Sequence, residues 1–566
     1  MLIEEHIRRL TGLDGCAKKA SEILRQTAHL IKARSVAYGS AQCIFKARLV
    51  EAFGASGFFQ SIIPGKGSLV HQILAISFPY AFIDFINDDL QNLDRYINEA
   101  VYTLEENGMI PDPSPNLIAT AKKESVTMLE RALDTIPEIS ERIGLKLNNA
   151  RVYTEIQLMS YKLHIWGVLD ALIEDHINQR AIVIDWKTRE QLEGRAAQIG
   201  DPDIAQVCAY AMLVADRLGF EDPRKPVLEG KIVPIIIRPR GKIPVAGISP
   251  AYKTMDRRLS LEQYLNRIIL TAEHLTLTLT NVRKLAGSDF DKICRFKSSR
   301  SGRRVSAFRY TPSDLPRGNP ENDRYPCNVC GLREECLFYI RTSIEPEEID
   351  RLAWRSRFAI YSIRENALQP YKEIHDKIAY YNLSADSLEH GELFTLEGGS
   401  RIDIFDEAEA PGDCIIVKRD LRKKELEEDR IITIREGKPA ALFFHEEHVR
   451  SPLLRLCFVG RVDEVTIDED NEKILVTVGA PNIPSRLHQV LFKFYLKQWG
   501  DLTSRIIGVE TNVDLTQLEL RAIDAFQRGT RRVRDRPEGL DQELEKLREE
   551  ALEVLFGKIP RMWGES

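Results

Sequence analysis

The sequence contains no uninterrupted run of 18 apolar residues, so it predicts no transmembrane helix. Its first ten residues include Glu4, Glu5, Arg8 and Arg9 and lack the apolar stretch that a secretory signal needs. Cysteine is scarce, and the odd count of nine does not suit the disulfide framework of a secreted protein. We therefore expect a cytoplasmic protein with no membrane partner.

The sequence also lacks the motif of a nucleotide-driven motor. A P-loop needs G-x-x-x-x-G-K-[ST], and neither "PGKGS" at 64–68 nor the "GKIV", "GKIP" and "GKPA" segments has that spacing. No internal repeat and no low-complexity tract is present. With 43% hydrophobic and 29% charged residues, the 566-residue chain has the composition of a folded protein. At about 100–200 residues per domain, a chain of this length predicts about two to four domains. Because the P-loop is missing, we expect no helicase ATPase among them.

Charge is distributed unevenly along the chain, although the net charge is only −6. Residues 1–340 carry 45 basic and 41 acidic side chains, whereas residues 341–566 carry 34 basic and 44 acidic side chains. A mildly basic half joined to an acidic half is compatible with one face that meets nucleic acid.

Hydrophobic periodicity predicts a first domain over residues 1–340. The segments "VYTEIQL" and "LHIWGVLDALIE" alternate apolar and polar residues as half-buried strands do, and "QRAIVIDWKT" suits a central strand. The amphipathic helix "DIAQVCAYAMLVADRLG" and the strand "GKIVPIIIRPRG" follow. This order predicts an α/β core with a mixed sheet, preceded by helices and interrupted by a helical insertion at 85–150.

The second half predicts a different architecture. Residues 341–388 read as a helical connector. Residues 389–482 contain the short strands "DCIIVKR", "RIITIRE", "AALFFH", "LCFVGRVDEVTI" and "KILVTVG", which are typical of a small β-barrel-like domain. Residues 483–566 predict a charged, helical C-terminal region.

Within the predicted core, polar side chains follow an order that suits metal-dependent hydrolysis. His71 lies near a helix start, Asp170 ends a strand, and Asp185 and Lys187 lie on the next strand, where residues two apart share a face. Carboxylate oxygens suit Mg²⁺ or Mn²⁺, and an imidazole shifts the preference towards Mn²⁺. A cation held there would neutralise a scissile phosphate, while Lys187 would orient water or stabilise developing charge.

The following helix adds Gln206 and Tyr210, which lie four residues apart and therefore share a face. They can hold the lysine or a nucleic-acid backbone. Taken singly, each feature has a plainer explanation, because D-x-K is common on strands, a lone histidine usually packs, and Q-x-x-x-Y is usually helix surface. Their joint occurrence in this order, on the matching elements, favours the functional interpretation.

The order G…H, G-x-x-D, D-x-K and Q-x-x-x-Y resembles the RecB-type branch of the PD-(D/E)XK nuclease superfamily. The resemblance implies an α/β restriction-endonuclease-like core. It also implies a set of site residues: the metal ligands His71, Asp170 and Asp185, the catalytic lysine Lys187, and the branch motif Gln206 and Tyr210. Glu155, in "YTEIQL", matches a recurrent acidic strand position of that branch. Many members have Glu before x-K, where this chain has the shorter Asp185, which the pattern permits.

A cysteine cluster follows the predicted core. "YPCNVCGLREEC" spaces Cys327, Cys330 and Cys336 as C-x₂-C-x₅-C, so that the thiolates can address one metal centre and need a fourth ligand. Some RecB-type members carry a four-cysteine [4Fe–4S] cluster, with one cysteine before the core and three after it. They include AddB, the CRISPR spacer-acquisition exonuclease and the nuclease domain of the eukaryotic replication helicase-nuclease. The resemblance implies Cys43 as the fourth ligand, with Cys294 as its rival and zinc as the alternative metal.

A basic segment precedes these cysteines and is a candidate for tracking DNA phosphates, with a solvated loop as the alternative. Its candidate residues are Arg295, Lys297, Arg300, Arg303, Arg304 and Arg309.

The expected function, from the motifs and the resemblance together, is a metal-dependent DNA exonuclease that acts on single strands or strand ends. A separate helicase or translocase is the expected partner, since the chain resembles a nuclease without its motor. Three alternatives remain: a selective endonuclease of a defence system, a catalytically silent DNA-binding scaffold, and a nuclease that cuts RNA.

Overall fold

A computed structural model defines the fold over part of the chain. It describes residues 2–26, 30–41, 43–44, 46–47, 66–90, 92–106, 110, 115–188, 201–240, 243, 261–284, 295–297, 304–306, 402–412, 414–420, 434–445, 457–468, 473–479, 486–499 and 505–510. The predicted connector at 341–388 lies outside these residues.

The chain forms two compact units, and each is discontinuous in sequence. The first comprises Met1–Ile344, Phe444–Cys457 and Ser485–Gln498. The second comprises Glu345–Phe443, Phe458–Pro484 and Trp499–Ser566. The chain therefore crosses between the two units more than once. The domain boundaries at 340, 388 and 482 remain predictions.

The described part of the first unit consists of helices packed on a five-stranded sheet, with a separate two-stranded ribbon. Its described helices are α1 (Leu2–Thr11), α2 (Asp14–Gln26), α3 (Ala33–Ala41), α4 (Lys66–Ile86), α5 (Leu93–Glu106), α6 (Pro115–Ile143), α7 (Asp201–Arg217), α8 (Arg224–Leu228), α9 (Leu261–Lys284) and α10 (Arg486–Trp499, of which Trp499 belongs to the second unit). Its described strands are β1 (Ile31–Lys32), β2 (Arg151–Ser160), β3 (Ile165–Asp175), β4 (Arg180–Trp186), β5 (Ile232–Ile237), β6 (Arg295–Lys297) and β7 (Arg304–Ser306).

Five of the described strands form the mixed sheet that the sequence predicts. Along it the order is β1-β3-β4-β5, and β2 also pairs with β3. The β2–β3 and β3–β4 pairs are antiparallel, whereas β4–β5 and β1–β3 are parallel. The two-residue strand β1 is too short to leave a periodic signal, and the sequence did not predict it.

The central strand β4 is buried along almost its whole length, as its β-branched sequence "RAIVIDW" requires. Helix α7 packs on β2, β3, β4 and β5, and α3 packs on α7. A fully buried ion pair fixes α7 to β3, because Arg217 Nε donates to Glu174 Oε2 at 3.0 Å. The Arg217 guanidinium also lies 5.7 Å from the ring centroid of Tyr153 on β2. These contacts fix the helix that carries Gln206 and Tyr210 over the sheet.

Helix α4 has the length and apolar composition of a membrane span, although polar residues interrupt its apolar runs. Most of its apolar segment is buried inside the protein, where it packs on α5, α6 and β2. This burial is the property of a core helix. Within the predicted insertion at 85–150, the described residues form the end of α4, then α5, α6 and a 3₁₀ turn at Leu147–Asn149.

The second unit carries most of a seven-stranded sheet among the described residues. Its strands are β8 (Ile402–Phe405), β9 (Glu407–Glu409), β10 (Cys414–Asp420), β11 (Pro439–His445), β12 (Cys457–Asp468), β13 (Lys473–Gly479) and β14 (Arg505–Glu510). They lie in the order β8-β14-β11-β12-β13-β10-β9. Alternating burial along β10 and β13 confirms that one face of these strands packs on a core.

Two details of the second half differ from the predictions. The segment "RIITIRE" is not a strand in its described part: Ile434 donates its N–H to the Asp403 carboxylate at 2.9 Å, and the chain turns at Gly437 with φ +75°. The C-terminal region is not entirely helical, because β14 follows α10 and pairs with β8. Strand β14 is only six residues long and Gly508 interrupts its apolar residues, so its sequence lacks the alternation of a typical strand.

Candidate active site

Three acidic residues lie in one row across three neighbouring strands. Thr154 pairs with Ala171 and Ile156 with Leu169, so Glu155 of β2 lies opposite Asp170 of β3. The β3–β4 ladder ends at the pair of Ala171 and Ile184, one position before Asp170 and Asp185. Beyond that point, the N–H of Trp186 donates to Asp170 Oδ2 at 2.7 Å. Asp170 and Asp185 thus lie just past the end of this ladder.

Helix α4 brings an imidazole to this row. His71 Nδ1 lies 3.2 Å from Asp170 Oδ1. Burial alone would lower the pKa of His71, but the carboxylates of Asp170 and Glu155 outweigh burial and raise it to about 9. Burial alone would raise the pKa of Asp170, but His71, Lys187 and the Trp186 N–H lower it. In the absence of a cation, these two groups form an ion pair.

Among the described residues, one trio can hold a metal ion. One ligand atom each of His71, Glu155 and Asp170 lies within 4.8 Å of the other two. The trio differs in one member from the predicted His71, Asp170 and Asp185, because it includes Glu155 of β2 and not Asp185 of β4. The ligand role of Asp185 therefore remains a prediction.

Glu155 reaches the trio in a strained backbone conformation. Its φ is +51°, although it lies inside a strand and is not glycine. A residue with a Cβ pays on the order of 1–2 kcal/mol for this region, and such residues cluster at functional sites. No sequence signal could have shown this conformation, since "YTEIQL" reads as an ordinary strand.

Asp185 and Lys187 form a pair beside the trio. Lys187 Nζ lies 2.9 Å from Asp185 Oδ2 and donates its hydrogen bond to Oδ1, 3.1 Å away. Asp185 is only 1% exposed, and Lys187 is the cation that lies against its carboxylate. Burial, assisted by Asp170, raises the pKa of Asp185 despite the attraction of Lys187. The site therefore brings two neighbouring carboxylates, Asp170 and Asp185, close to one lysine.

Lys187 is positively charged in this setting. Burial alone would lower its pKa, but the carboxylates of Asp185, Asp170 and Asp203 raise it. A lysine held protonated can donate hydrogen bonds and stabilise negative charge, and it cannot take a proton from water.

Helix α7 contributes the polar pair that the sequence predicts. Gln206 Nε2 donates to Tyr210 Oη at 2.7 Å. Burial raises the pKa of Tyr210 well above its usual range, and the charges of Asp185 and Asp170 raise it further, so the phenol stays protonated beside the carboxylates. Gly167 makes room for this ring, because a Cβ at that position would lie 2.5 Å from Tyr210 Cε1. The glycine of the G-x-x-D motif therefore has a steric role.

Sequence reasoning missed a second charged pair next to Lys187. Arg238 follows β5, and its Nη2 donates to Asp203 Oδ2 of α7 at 2.6 Å. The Lys187 N–H donates to the carbonyl of Ile237 at 3.0 Å, which places Arg238 and Lys187 at the same edge of the sheet. The signal was present, since "IIIRPRG" follows a strand that is parallel to β4.

The remaining predicted residues are only partly described. Cys43 follows α3 and is half-buried. The ribbon of β6 and β7 pairs Lys297 with Arg304 and Arg295 with Ser306 along the backbone. The other predicted cysteine and arginine positions lie outside the described residues: Cys327, Cys330, Cys336, Cys294, Arg300, Arg303 and Arg309.

Comparison with known families agrees with this geometry. The sequence model of the PD-(D/E)XK nuclease superfamily matches residues 40–336, just over half of the chain. A comparison with curated proteins finds none that matches. The matched region contains His71, the acidic row, Lys187 and the α7 pair on a mixed α/β core of the restriction-endonuclease-like kind. The chain belongs to the PD-(D/E)XK nuclease superfamily, whose members are nucleases that use Mg²⁺ or Mn²⁺.

Proposed function

We propose that the protein is a divalent-metal-dependent deoxyribonuclease that degrades single-stranded DNA or DNA from its ends. The observation that carries the proposal is the group of His71, Glu155 and Asp170 beside the buried pair of Asp185 and Lys187. The preference for single strands or ends is supported by the resemblance of the motif order to the RecB-type branch.

The donor set fits Mg²⁺ or Mn²⁺. Two carboxylates and an imidazole converge, and Asp185 follows Asp170 in the acidic row. We assign His71, Glu155 and Asp170 as ligands and Asp185 as the acceptor that completes the site. When bound, a divalent cation supplies charge neutralisation of the scissile phosphate and activation of water. The imidazole favours Mn²⁺ over Mg²⁺.

The protein's own groups perform the rest of the chemistry. Lys187, held charged by its carboxylate neighbours, donates hydrogen bonds to the attacking water or to the phosphate oxygen on which negative charge develops. Tyr210, whose oxygen accepts a hydrogen bond from Gln206 and whose hydroxyl stays protonated, adds a neutral hydrogen-bond donor near Asp185 and Asp170. Arg238, fixed by Asp203, adds positive charge at the same edge.

We also propose that Cys43, Cys327, Cys330 and Cys336 hold a [4Fe–4S] cluster, with zinc as the alternative. The spacing of the last three cysteines supports this assignment. The family match begins three residues before Cys43 and ends at Cys336, so the four cysteines fall at the two ends of the matched region. A cluster there would join segments that are distant in sequence. An anaerobically purified protein should show a broad absorbance band near about 400 nm that Cys43→Ser weakens, whereas zinc would leave the protein colourless.

The second unit is proposed to close into a small barrel. Its terminal strands β8 and β9 are separated by Asp406 alone, so a single extended segment occupies both ends of the sheet order. The Asp406 N–H donates to the carbonyl of Lys418 at 3.0 Å. We propose that a separate helicase or translocase supplies strands to the nuclease, since the sequence has no P-loop.

The test of the proposed function compares three DNA substrates with Mn²⁺ present: an end-labelled single strand, a linear duplex and a closed circular single strand. An end-dependent exonuclease degrades the linear strand and spares the circle. Cleavage of the circle at defined positions would instead identify a selective endonuclease. Binding of all three substrates without cleavage would identify a scaffold, and parallel digestion of RNA decides the sugar preference.

A further inference from the structure

Helix α10 lies more than 300 residues after the catalytic strands, yet most of it belongs to the first unit. Its sequence "LFKFYLKQW" buries Phe492 and Tyr495 completely and Phe494 almost completely. Neither the motifs nor the family match at 40–336 includes this helix. Neither of them therefore explains why this helix is buried in the first unit.

Aromatic contacts attach α10 to two elements of the site. The rings of Tyr495 and Tyr153 on β2 have centroids 5.6 Å apart. The rings of Phe494 and Tyr80 on α4 have centroids 4.2 Å apart and meet edge to face. Helix α10 thus contacts both the strand that carries Glu155 and the helix that carries His71.

A hydrogen bond from the backbone of β2 also reaches α10. The N–H of Thr154 donates to Tyr495 Oη at 3.0 Å, and the bond is buried. Among the described strands, β2 pairs only with β3, so this N–H is satisfied by a side chain and not by a further strand. Burial raises the pKa of Tyr495, which keeps the hydroxyl protonated. A buried N–H that loses its acceptor is costly, so this bond restrains the strand.

Thr154 is restrained from a second direction. Its Oγ1 donates to the carbonyl of Ala75 at 2.7 Å, one helical turn after His71 on α4. Thr154 is itself fully buried. The residue that immediately precedes Glu155 is therefore fixed to α10 by its N–H and to α4 by its hydroxyl.

The strain at Glu155 explains why such restraint matters. A non-glycine residue at φ +51° persists only where its surroundings enforce that conformation. If the strand relaxed to ordinary extended geometry, the Glu155 carboxylate would leave the trio with His71 and Asp170. Restraint of Thr154 from two helices opposes that relaxation.

We propose, resting on the metal-dependent nuclease function argued above, that Tyr495 is a positioning residue for the metal site. Its hydroxyl holds the strand at Thr154 so that Glu155 keeps its left-handed conformation and its carboxylate stays among the ligands. A segment distant from every motif thereby sets the affinity of the site for Mg²⁺ or Mn²⁺. Contacts outside the ligand set that orient a ligand typically change metal affinity by about 10–100-fold.

The test measures Mn²⁺ binding by the full-length protein, from the loss of the free-ion paramagnetic resonance signal. Tyr495→Phe removes one hydroxyl and should weaken binding by about tenfold. Tyr80→Phe removes a hydroxyl from a tyrosine that contacts the same helix, and it should bind as the wild type does. Glu155→Gln should weaken binding at least as strongly as Tyr495→Phe.

The decisive comparison is the double variant of Tyr495→Phe with Glu155→Gln. If Tyr495 acts through Glu155, the double variant binds Mn²⁺ no more weakly than Glu155→Gln alone. Additive losses would overturn the proposal, since they would reveal a general effect on the fold. Unchanged affinity of Tyr495→Phe would also overturn it.

Two further results separate this proposal from the proposed function. Mn²⁺ binding that Glu155→Gln leaves intact would overturn the metal site itself. Should Tyr495→Phe fail to fold, amide hydrogen exchange at Thr154 in the wild type is the second measurement, because the Thr154 N–H donates to Tyr495. Mn²⁺ should slow this exchange if the bond and the metal site are coupled, and exchange that Mn²⁺ leaves unchanged would overturn the proposal.

Discussion

At the scale of single residues, the candidate site is defined by three carboxylates that lie close to His71 and Lys187. Asp185 has a raised pKa although Lys187 lies beside it, because burial and Asp170 oppose its ionisation. Asp170 has a lowered pKa because His71 and Lys187 stabilise its charge. The surroundings therefore shift the pKa values of two carboxylates on neighbouring strands in opposite directions, as is common at functional sites.

The His71–Asp170 pair predicts how stability depends on pH when metal is removed. Because the pKa of His71 rises from 6.5 to about 9 on folding, the pair stabilises the protein fully below about pH 6.5. That contribution is lost as the pH rises through about 9. It amounts to at most about 3.5 kcal/mol, since one unit of pKa change is worth about 1.4 kcal/mol.

Urea denaturation in the presence of a chelator, at pH 6.5 and pH 9.5, measures this pH dependence of the free energy of unfolding. His71→Gln is the comparison. The wild type should lose more free energy of unfolding than the variant over this interval. Parallel losses in the two proteins would contradict the assigned ion pair.

Replacement of Lys187 should lower the rate of DNA cleavage without loss of metal binding. Lys187→Met keeps the aliphatic stem and removes the charge, so cleavage should fall by about 10²–10³-fold while Mn²⁺ binding persists. Lys123→Met, on the exposed face of α6, is the matched control and should cut normally. Turnover unchanged in Lys187→Met would show that another group stabilises the developing charge.

At the scale of elements, the approach of α7 to β3 depends on one glycine. A Cβ at Gly167 would meet Tyr210 Cε1 at 2.5 Å and Ala33 Cβ at 3.1 Å, so Gly167→Ala must displace the tyrosine ring. The expected cost is about 1–3 kcal/mol of stability, together with reduced cleavage. A Cβ at Gly15 in α2 would meet no atom within 4 Å, so Gly15→Ala should leave stability and cleavage nearly unchanged. Thermal melting and cleavage rates measure the two effects, and equal behaviour of the variants would refute the steric role of Gly167.

The elements also separate what sequence reasoning could predict from what it could not. Alternation in "VYTEIQL" and the β-branched run "AIVIDW" predicted β2 and β4, because burial of one face or of both faces sets those patterns. The left-handed backbone of Glu155 and its place among the ligands could not be predicted, since contacts from distant segments enforce them. Gln206 and Tyr210 could be paired from helix geometry alone.

At the scale of the whole molecule, the nuclease unit is assembled from segments far apart in the chain. The catalytic motifs lie between residues 71 and 210, whereas α10 returns from beyond residue 485. A linear division into domains at 340 and 482 follows local patterns and cannot detect such a return. The truncation of a chain at residue 340 would remove Tyr495 and its hydrogen bond to Thr154.

The most direct test of the central claim is digestion of end-labelled single-stranded DNA with and without Mn²⁺, with wild type beside Asp185→Ala. Asp134→Ala, which changes an exposed aspartate on α6, is the matched control. The wild type and the control should cleave the DNA only when Mn²⁺ is present. Asp185→Ala should lose cleavage by about 10³-fold or more while its circular dichroism spectrum stays that of the wild type. Undiminished cleavage by a folded Asp185→Ala variant would contradict the assignment of this site as the catalytic centre.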